Sequence, residues 1–282
     1  MVRTISAMTR LAVNGTELWV EDCGAPHAGA EVVLFHHGYT GSHDSWPAII
    51  EPLRGQYRCI MMDCRGAGDS AHPEGGYTIE QYAADVVAVA DQLGVERFTY
   101  VGHSMGGGIG MWLGLEHAAR LDRLVLVAPV ASSGISAPPS FREAAAKLWY
   151  EQDAEELVRQ RIATTGRHET VDEVSVKGRV DRALSVSKGH YEQSWNAMAS
   201  FNVTARLAEL TTPTLMIVGA ADGLARANLE DYLRLPNASI HVFNRVGHGV
   251  PQEVPDEFAA LLADFLGNGV VNAATLQARV TG

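Results

Sequence analysis

Short, mostly apolar runs alternate along the chain with longer stretches in which apolar positions recur at helical spacing. The runs are residues 31–36 (EVVLFH), 58–63 (RCIMMD), 97–101 (RFTYV), 123–128 (RLVLVA), 214–218 (TLMIV) and 239–243 (SIHVF). Several are apolar nearly throughout, as strands of a parallel sheet buried on both faces should be. Before them, Asn14-Gly15 separates two half-apolar runs and predicts a tight hairpin at the N-terminal edge. The alternation predicts an α/β fold with a mostly parallel central sheet flanked by helices.

Between about residues 132 and 210 the alternation stops. Ser132-Ser133-Gly134 and Pro138-Pro139 open a charge-mixed, helix-prone region without a strand. This predicts a helical cap over 132–210 inserted into a core made of 1–131 and 211–267. The core closes with an amphipathic helix near 256–266, and the tail 268–282 has weak periodicity, open to disorder or to a homo-oligomer contact. The cap carries Phe141, Trp149, Tyr150, Tyr191, Trp195, Met198 and Phe201, of which Trp149, Trp195 and Met198 are candidates for lining a substrate pocket. Its bases Arg142, Lys147, Arg159, Arg161 and Lys188 are interspersed with acids and read as solvated helix faces, so the pocket is expected to be apolar.

Composition narrows the partners. Of 282 residues 46% are hydrophobic, enough for a large core, and 22 Lys+Arg against 33 Asp+Glu give a net charge of -11. Nucleic acid and anionic membranes select basic surfaces, so neither is expected as a partner. No apolar run is long enough for a bilayer span, and residues 1–15 lack the apolar centre of a secretory signal, which predicts a soluble, cytoplasmic protein. Three cysteines without a CxxC pair predict neither a disulfide framework nor a zinc site, and no cofactor or metal is expected.

The chemistry centres on Gly102-His103-Ser104-Met105-Gly106, a G-x-S-x-G run entered from a strand and leaving into a helix-prone stretch. Such an elbow forces the serine into a strained backbone and holds its hydroxyl above the sheet, with small neighbours on either side. A serine needs a base oriented by a carboxylate to act as a nucleophile. His248, in the loop Arg245-Val246-Gly247-His248-Gly249 after the last strand, is the candidate base, while His117 and His241 sit within a helix and a strand pattern. Asp222, just past the strand 214–218, is the candidate acid, because catalytic groups gather at the carboxyl edge of such sheets. Glu230 and Asp231 read as solvated charges. Near residue 40, His36, His43, Asp44 and Trp46 are candidates for substrate contact, with Trp46 alternatively packed beneath the cap.

In this order, Ser104, Asp222 and His248 resemble the nucleophile, acid and base of the α/β-hydrolase superfamily, most closely its esterase, lactonase and haloperoxidase-like branch. The resemblance spans nearly the whole chain. His37-Gly38-Tyr39 resembles that family's oxyanion loop and implies that the Tyr39 and Met105 amides bind the oxyanion. Asp63-Cys64-Arg65-Gly66-Ala67-Gly68-Asp69-Ser70 resembles its structural D-x-R-G-x-G-x-S turn. Dehalogenases and epoxide hydrolases of this fold carry an aspartate where Ser104 stands, and carbon-carbon bond hydrolases usually carry a tryptophan where Gly249 stands. The resemblance therefore implies hydrolysis of a small-molecule carboxylic ester or lactone through an acyl-enzyme. Cofactor-free perhydrolysis, carbon-carbon cleavage and a low-turnover ligand receptor are the alternatives.

Overall fold

The structure, a computed structural model, describes residues 7–281. Eight strands form one sheet: β1 (Ala7–Val13), β2 (Thr16–Asp22), β3 (Val32–His36), β4 (Arg58–Met62), β5 (Phe98–His103), β6 (Leu121–Val127), β7 (Thr214–Gly219) and β8 (Ala238–Phe243), in the order β1-β2-β4-β3-β5-β6-β7-β8. β1 and β2 pair antiparallel, β2 pairs antiparallel with β4, and all remaining pairs are parallel. In the first hairpin Val13 faces Thr16 across a two-residue loop. Asn14 (φ 46°) and Gly15 (φ 76°) both occupy the left-handed region, the turn whose twist matches the strands it joins.

The helices are α1 (Pro47–Ile50), α2 (Ile79–Gln92), α3 (Met105–Glu116), α4 (Pro139–Glu151), α5 (Ala154–Ala163), α6 (Glu173–Ser185), α7 (Trp195–Ser200), α8 (Ala225–Tyr232), α9 (Val250–Glu253), α10 (Pro255–Asn268) and α11 (Ala273–Thr281). One face of the sheet, with Tyr100, Leu124 and Leu126, packs against α2 and α3; the other, with Val33, Phe35 and Ile217, packs against α1 and α10. The α2 stripe Tyr82, Val86 and Val89 follows helical spacing and is buried, each large apolar side chain contributing about 1.5–3 kcal/mol. Trp46 belongs to the α10 side. It is wholly buried against Phe35 and Phe258, whereas Trp149, Met198 and Tyr191 lie in the cluster on the opposite face. The sequence expectations that Trp46 contacts substrate or packs beneath a cap are thus both corrected.

Helices α4 to α7 occupy the interval between β6 and β7. They bury little of themselves: α5 contributes no fully buried residue, and α6 contributes Val176, Val180 and Ala183. Their anchors are specific instead. Trp149 donates its Nε1–H to the Ala183 carbonyl at 3.0 Å, and Arg182 reaches Asp44 and Asp69, each at 2.8 Å.

The tail is helical. Asn272 and Thr275 cap α11 reciprocally, and Val271 and Asn272 bond Ser239 and Ala238 at the edge of β8. The stretch Pro255–Val280 contains an 18-residue window with a mean hydropathy of 1.3, yet Gly269 (φ 68°) ends α10, and Phe258, Leu262 and Phe265 face the core. Neither α10 nor α11 alone has the roughly 20 residues a bilayer span requires.

The turn after β4 is fastened by two carboxylates. Asp63 accepts from the His43 amide (2.6 Å), His43 Nδ1 (2.8 Å) and the Asp69 amide (2.8 Å). Arg65 lays its guanidinium against Asp85 in a two-pronged pair (2.6 and 2.7 Å) in which both side chains are buried. Removing one partner of such a pair strands the other charge. Asp85→Ala is therefore expected to cost about 3–5 kcal/mol in urea unfolding, with Asp85→Asn, which keeps the volume and an acceptor, costing less. A loss below about 1 kcal/mol for the alanine variant would contradict this account of the turn.

Candidate active site

β5 runs into α3 through Ser104, whose backbone (φ 56°, ψ -112°) no ordinary residue adopts without strain. Its neighbours explain how it is tolerated. A Cβ at Gly102 would stand 2.2 Å from the Gly106 carbonyl, and one at Gly106 would stand 2.6 Å from the His36 carbonyl. The Ser104 amide donates to the Val127 carbonyl (2.9 Å), and the Ser104 carbonyl accepts from the Gly107, Gly108 and Val130 amides (2.9, 3.1 and 2.9 Å).

Three side chains from separate strand ends meet at this elbow. His248 lies 2.8 Å through Nε2 from Ser104 Oγ and 2.8 Å through Nδ1 from Asp222 Oδ2. Because a carboxylate only accepts, Nδ1 carries the proton and Nε2 presents a lone pair to the serine hydroxyl. Burial raises the Asp222 pKa, but the hydrogen bond and charge of His248 and the Leu224 amide outweigh it and hold the carboxyl below its ordinary value. His103 donates through Nε2 to the His248 carbonyl (2.8 Å), and Glu253 accepts from the Gly247, Gly166 and Arg167 amides (3.0, 2.9 and 3.1 Å). Neither His103 nor Glu253 stands out in the sequence. Its place directly before the serine of the elbow motif is the only signal for His103.

Gly38 brings the loop after β3 against the serine: a Cβ there would stand 2.9 Å from Ser104 Cβ. The next amide, Tyr39, has no acceptor among the described residues, and the Met105 amide is in the first turn of α3, where no intrahelical carbonyl reaches it. The Tyr39 ring extends toward the inserted helices, packing on His190, Tyr191 and Trp195 (centroids 5.8, 5.7 and 6.1 Å), and its hydroxyl donates to the Tyr191 carbonyl. Among the pocket candidates, Trp195 stands directly against Tyr39, Met198 is buried in the neighbouring cluster, and Trp149 stacks on Tyr191 (4.1 Å) with its indole N–H already used. Tyr191, named in the sequence only as one of the cap's large side chains, joins this group, as does Arg142, which is not on a solvated face as expected but lays its guanidinium over both the Tyr191 and Trp195 rings.

Other expectations change on inspection. Asp231 is buried rather than solvated, accepting from the Ser132 amide (2.7 Å) and hydroxyl (2.5 Å), and so ties α8 to the end of β6. His36 is enclosed between Tyr100 (2.9 Å) and Cys64 (3.2 Å), away from any substrate. Asp44 is spent on Arg182, and His43 stacks on Trp19 at 3.7 Å. His43, Asp63 and Asp69 approach closely enough to hold a metal ion, but the atoms that would bind one are engaged: His43 Nδ1 by Asp63, and Asp69 by Arg182.

Residues 31–251 match the alpha/beta hydrolase fold family. A 2-hydroxy-6-oxononadienedioate/2-hydroxy-6-oxononatrienedioate hydrolase of Cupriavidus pinatubonensis is 29% identical, over 87% of this chain and 90% of its own length. Among solved structures, the enol-lactonase of Burkholderia xenovorans superposes with a TM-score of 0.82 at 26% identity, covering 92% of this chain and all of that one. Est816, an N-acyl homoserine lactone degrading enzyme, superposes with a TM-score of 0.77 at 25% identity, covering 91% of this chain and all of that one.

Burial holds His103 and His190 down at about 3, so both stay neutral in the folded protein. Below the ordinary imidazole value of 6.5 the unfolded chain gains protons there that the folded chain refuses, so stability is lost as pH falls from about 6.5 toward 3. Each site adds up to about 1.4 kcal/mol per pH unit. His36 and His37, lowered chiefly by burial, act with the same sign; His43, raised because the bond to Asp63 outweighs its burial, acts against it. Urea unfolding between pH 7 and 5 should show this fall, and His190→Asn should flatten it by about one proton; stability rising on acidification would contradict it.

Proposed function

The chain belongs to the alpha/beta hydrolase family, and from that premise we propose that it is a serine hydrolase that cleaves a carboxylic ester or lactone through a covalent acyl intermediate. The observation that carries the reading is the unbroken line of hydrogen bonds from Asp222 through His248 to a strained Ser104. As Ser104 Oγ attacks the carbonyl carbon, His248 Nε2 takes its proton, and Asp222 fixes the tautomer and stabilises the imidazolium. The developing oxyanion is received by the Tyr39 and Met105 amides, each contributing about 3–4 kcal/mol. His248 then protonates the leaving oxygen, which departs as an alcohol or, from a lactone, remains tethered to the acyl group. Water, giving its proton to His248, attacks the acyl carbon and releases the acid and Ser104. In the same reading, helices α4 to α7 are the cap over this site.

Two lactone-degrading neighbours at 25–26% identity support the choice of bond. The Cupriavidus relative supports a second reading, cleavage of a carbon-carbon bond, which the glycine after His248 speaks against. A panel of p-nitrophenyl esters, lactones and ring-fission dioates separates the two, with esters or lactones expected to turn over faster. A fluorophosphonate should label the protein once, at Ser104, as read by peptide mass mapping. Ser104→Ala and His248→Ala should each lower kcat by on the order of 10⁴-fold or more, and Asp222→Ala by less, because the remaining pair still functions with a poorly oriented imidazole. Labelling elsewhere, or labelling that survives Ser104→Ala, would refute the assignment.

A further inference from the structure

Arg142, on the first turn of α4, shares with Arg161, Lys177 and Arg179 the lack of an ion pair among the described residues, and differs from all the cationic residues of the inserted helices in being laid on aromatic rings with a buried, unpartnered nitrogen. Lys147, Arg159, Lys188, Arg167 and Arg182 each reach a carboxylate within 4.0 Å. Arg142 forms no ion pair among the described residues, in a chain where acids outnumber bases 33 to 22. Its guanidinium instead lies over the Tyr191 ring (4.4 Å) and the Trp195 ring (4.7 Å). Nη2 donates to the Tyr191 carbonyl at 3.2 Å, the acceptor that the Tyr39 hydroxyl also uses. Nη1 is wholly buried and has no hydrogen-bond partner among the described residues.

Ring faces attract a cation but satisfy none of the N–H groups, which point outward in the guanidinium plane. A buried charged donor without an acceptor is strongly disfavoured, and the acceptor that suits this flat fork is a carboxylate. The place is also informative. Gly38, the residue before Tyr39, packs on Ser104, while the Tyr39 hydroxyl shares the Tyr191 carbonyl with Arg142, so the unpartnered donor lies at the far end of the Tyr39 side chain from the serine.

We propose that Arg142 is a specificity residue, bonding through Nη1 a carboxylate that the substrate carries a few bonds away from the ester or lactone it presents to Ser104. The inference rests on the reading of Ser104 as nucleophile and names the substrate class of that site: an anionic ester or lactone acid. It reverses the expectation from sequence, in which Arg142 belonged to a solvated helix face and the pocket was apolar. The net charge of -11 repels anions in general, so a preference for one requires a local cation.

The test compares p-nitrophenyl hydrogen adipate and suberate with their methyl esters, which share the reacting bond and differ in the distal charge. In the wild-type protein, kcat/KM for the acid should exceed that for its methyl ester by roughly tenfold to hundredfold, as hydrogen bonds to a charged group discriminate. Arg142→Met should bring that ratio to one or below, and any general loss of turnover in the variant cancels in the ratio. Adipate should also protect Ser104 from the fluorophosphonate better than dimethyl adipate does, a measurement that needs no variant. Ser104 labelling with a wild-type ratio at or below one, or with a ratio that Arg142→Met leaves unchanged, overturns the role of Arg142. Absence of Ser104 labelling overturns the hydrolase reading instead.

Discussion

Everything at the site hangs on one backbone conformation, that of Ser104. A non-glycine residue at φ 56° and ψ -112° carries strain of order 1–3 kcal/mol and persists only where its surroundings over-determine it. Three amides converge on its carbonyl, and its own amide is held by β6. The geometry requires glycine at 102 and 106, because the strand end and the helix start nearly touch, and Gly106 in turn touches the end of β3. A buried chain reinforces that weld. The Tyr100 hydroxyl donates to the Gly106 carbonyl (3.0 Å), His36 donates to Tyr100, and the Cys64 thiol, pushed well up by burial, completes the line as donor to His36. The loop that carries Tyr39 therefore leaves β3 at a point already fastened to the elbow.

The same edge logic assembles the other two members. Asp222 and His248 follow parallel neighbours, β7 and β8, and the loops that carry them are bonded to each other through the Ala220 amide to the Phe243 carbonyl and the Ala221 amide to the Val246 carbonyl, both 2.9 Å. Glu253 then grips the His248 loop with one oxygen and the Gly166–Arg167 segment with the other. His248 thus takes its position from β7, β8 and the inserted helices together, although 144 residues separate it from Ser104.

The sequence carried the strands, the elbow, the hairpin and the three residues of the hydrogen-bonded line, because each has a local signature: period, small neighbours, or position at a strand end. Strand limits moved by a residue or two, as ends defined by pairing partners must. What the sequence did not carry depends on which face of the sheet a side chain reaches. Trp46 follows a loop next to the site, yet its ring turns under α10 to Phe258; Asp231 sits in a polar helix, yet accepts from the buried amide and hydroxyl of Ser132. The helical tail was missed because its apolar positions are few and its start is set by the reciprocal Asn272–Thr275 cap and by contacts to β8.

Arg142 was missed for a related reason, and it alters how the inserted helices connect to the chemistry. Composition treats an arginine among glutamates as a solvated face, and for Arg159 and Lys188 that holds. Arg142 departs because aromatic side chains surround it, drawn together by a π-helical turn at residues 190–194 that brings His190 and Tyr191 onto the Tyr39 ring. Tyr39 then joins two surfaces through one residue: its ring is held by the inserted helices and its backbone follows Gly38, which packs on Ser104. A shift of Arg142 or Tyr191 moves the carbonyl that anchors the Tyr39 hydroxyl, and with it the residue that follows Gly38 beside Ser104. The inserted helices and the elbow in the core are therefore mechanically joined at Tyr39, through a hydroxyl that shares the Tyr191 carbonyl with Arg142 and a backbone that follows Gly38 against Ser104.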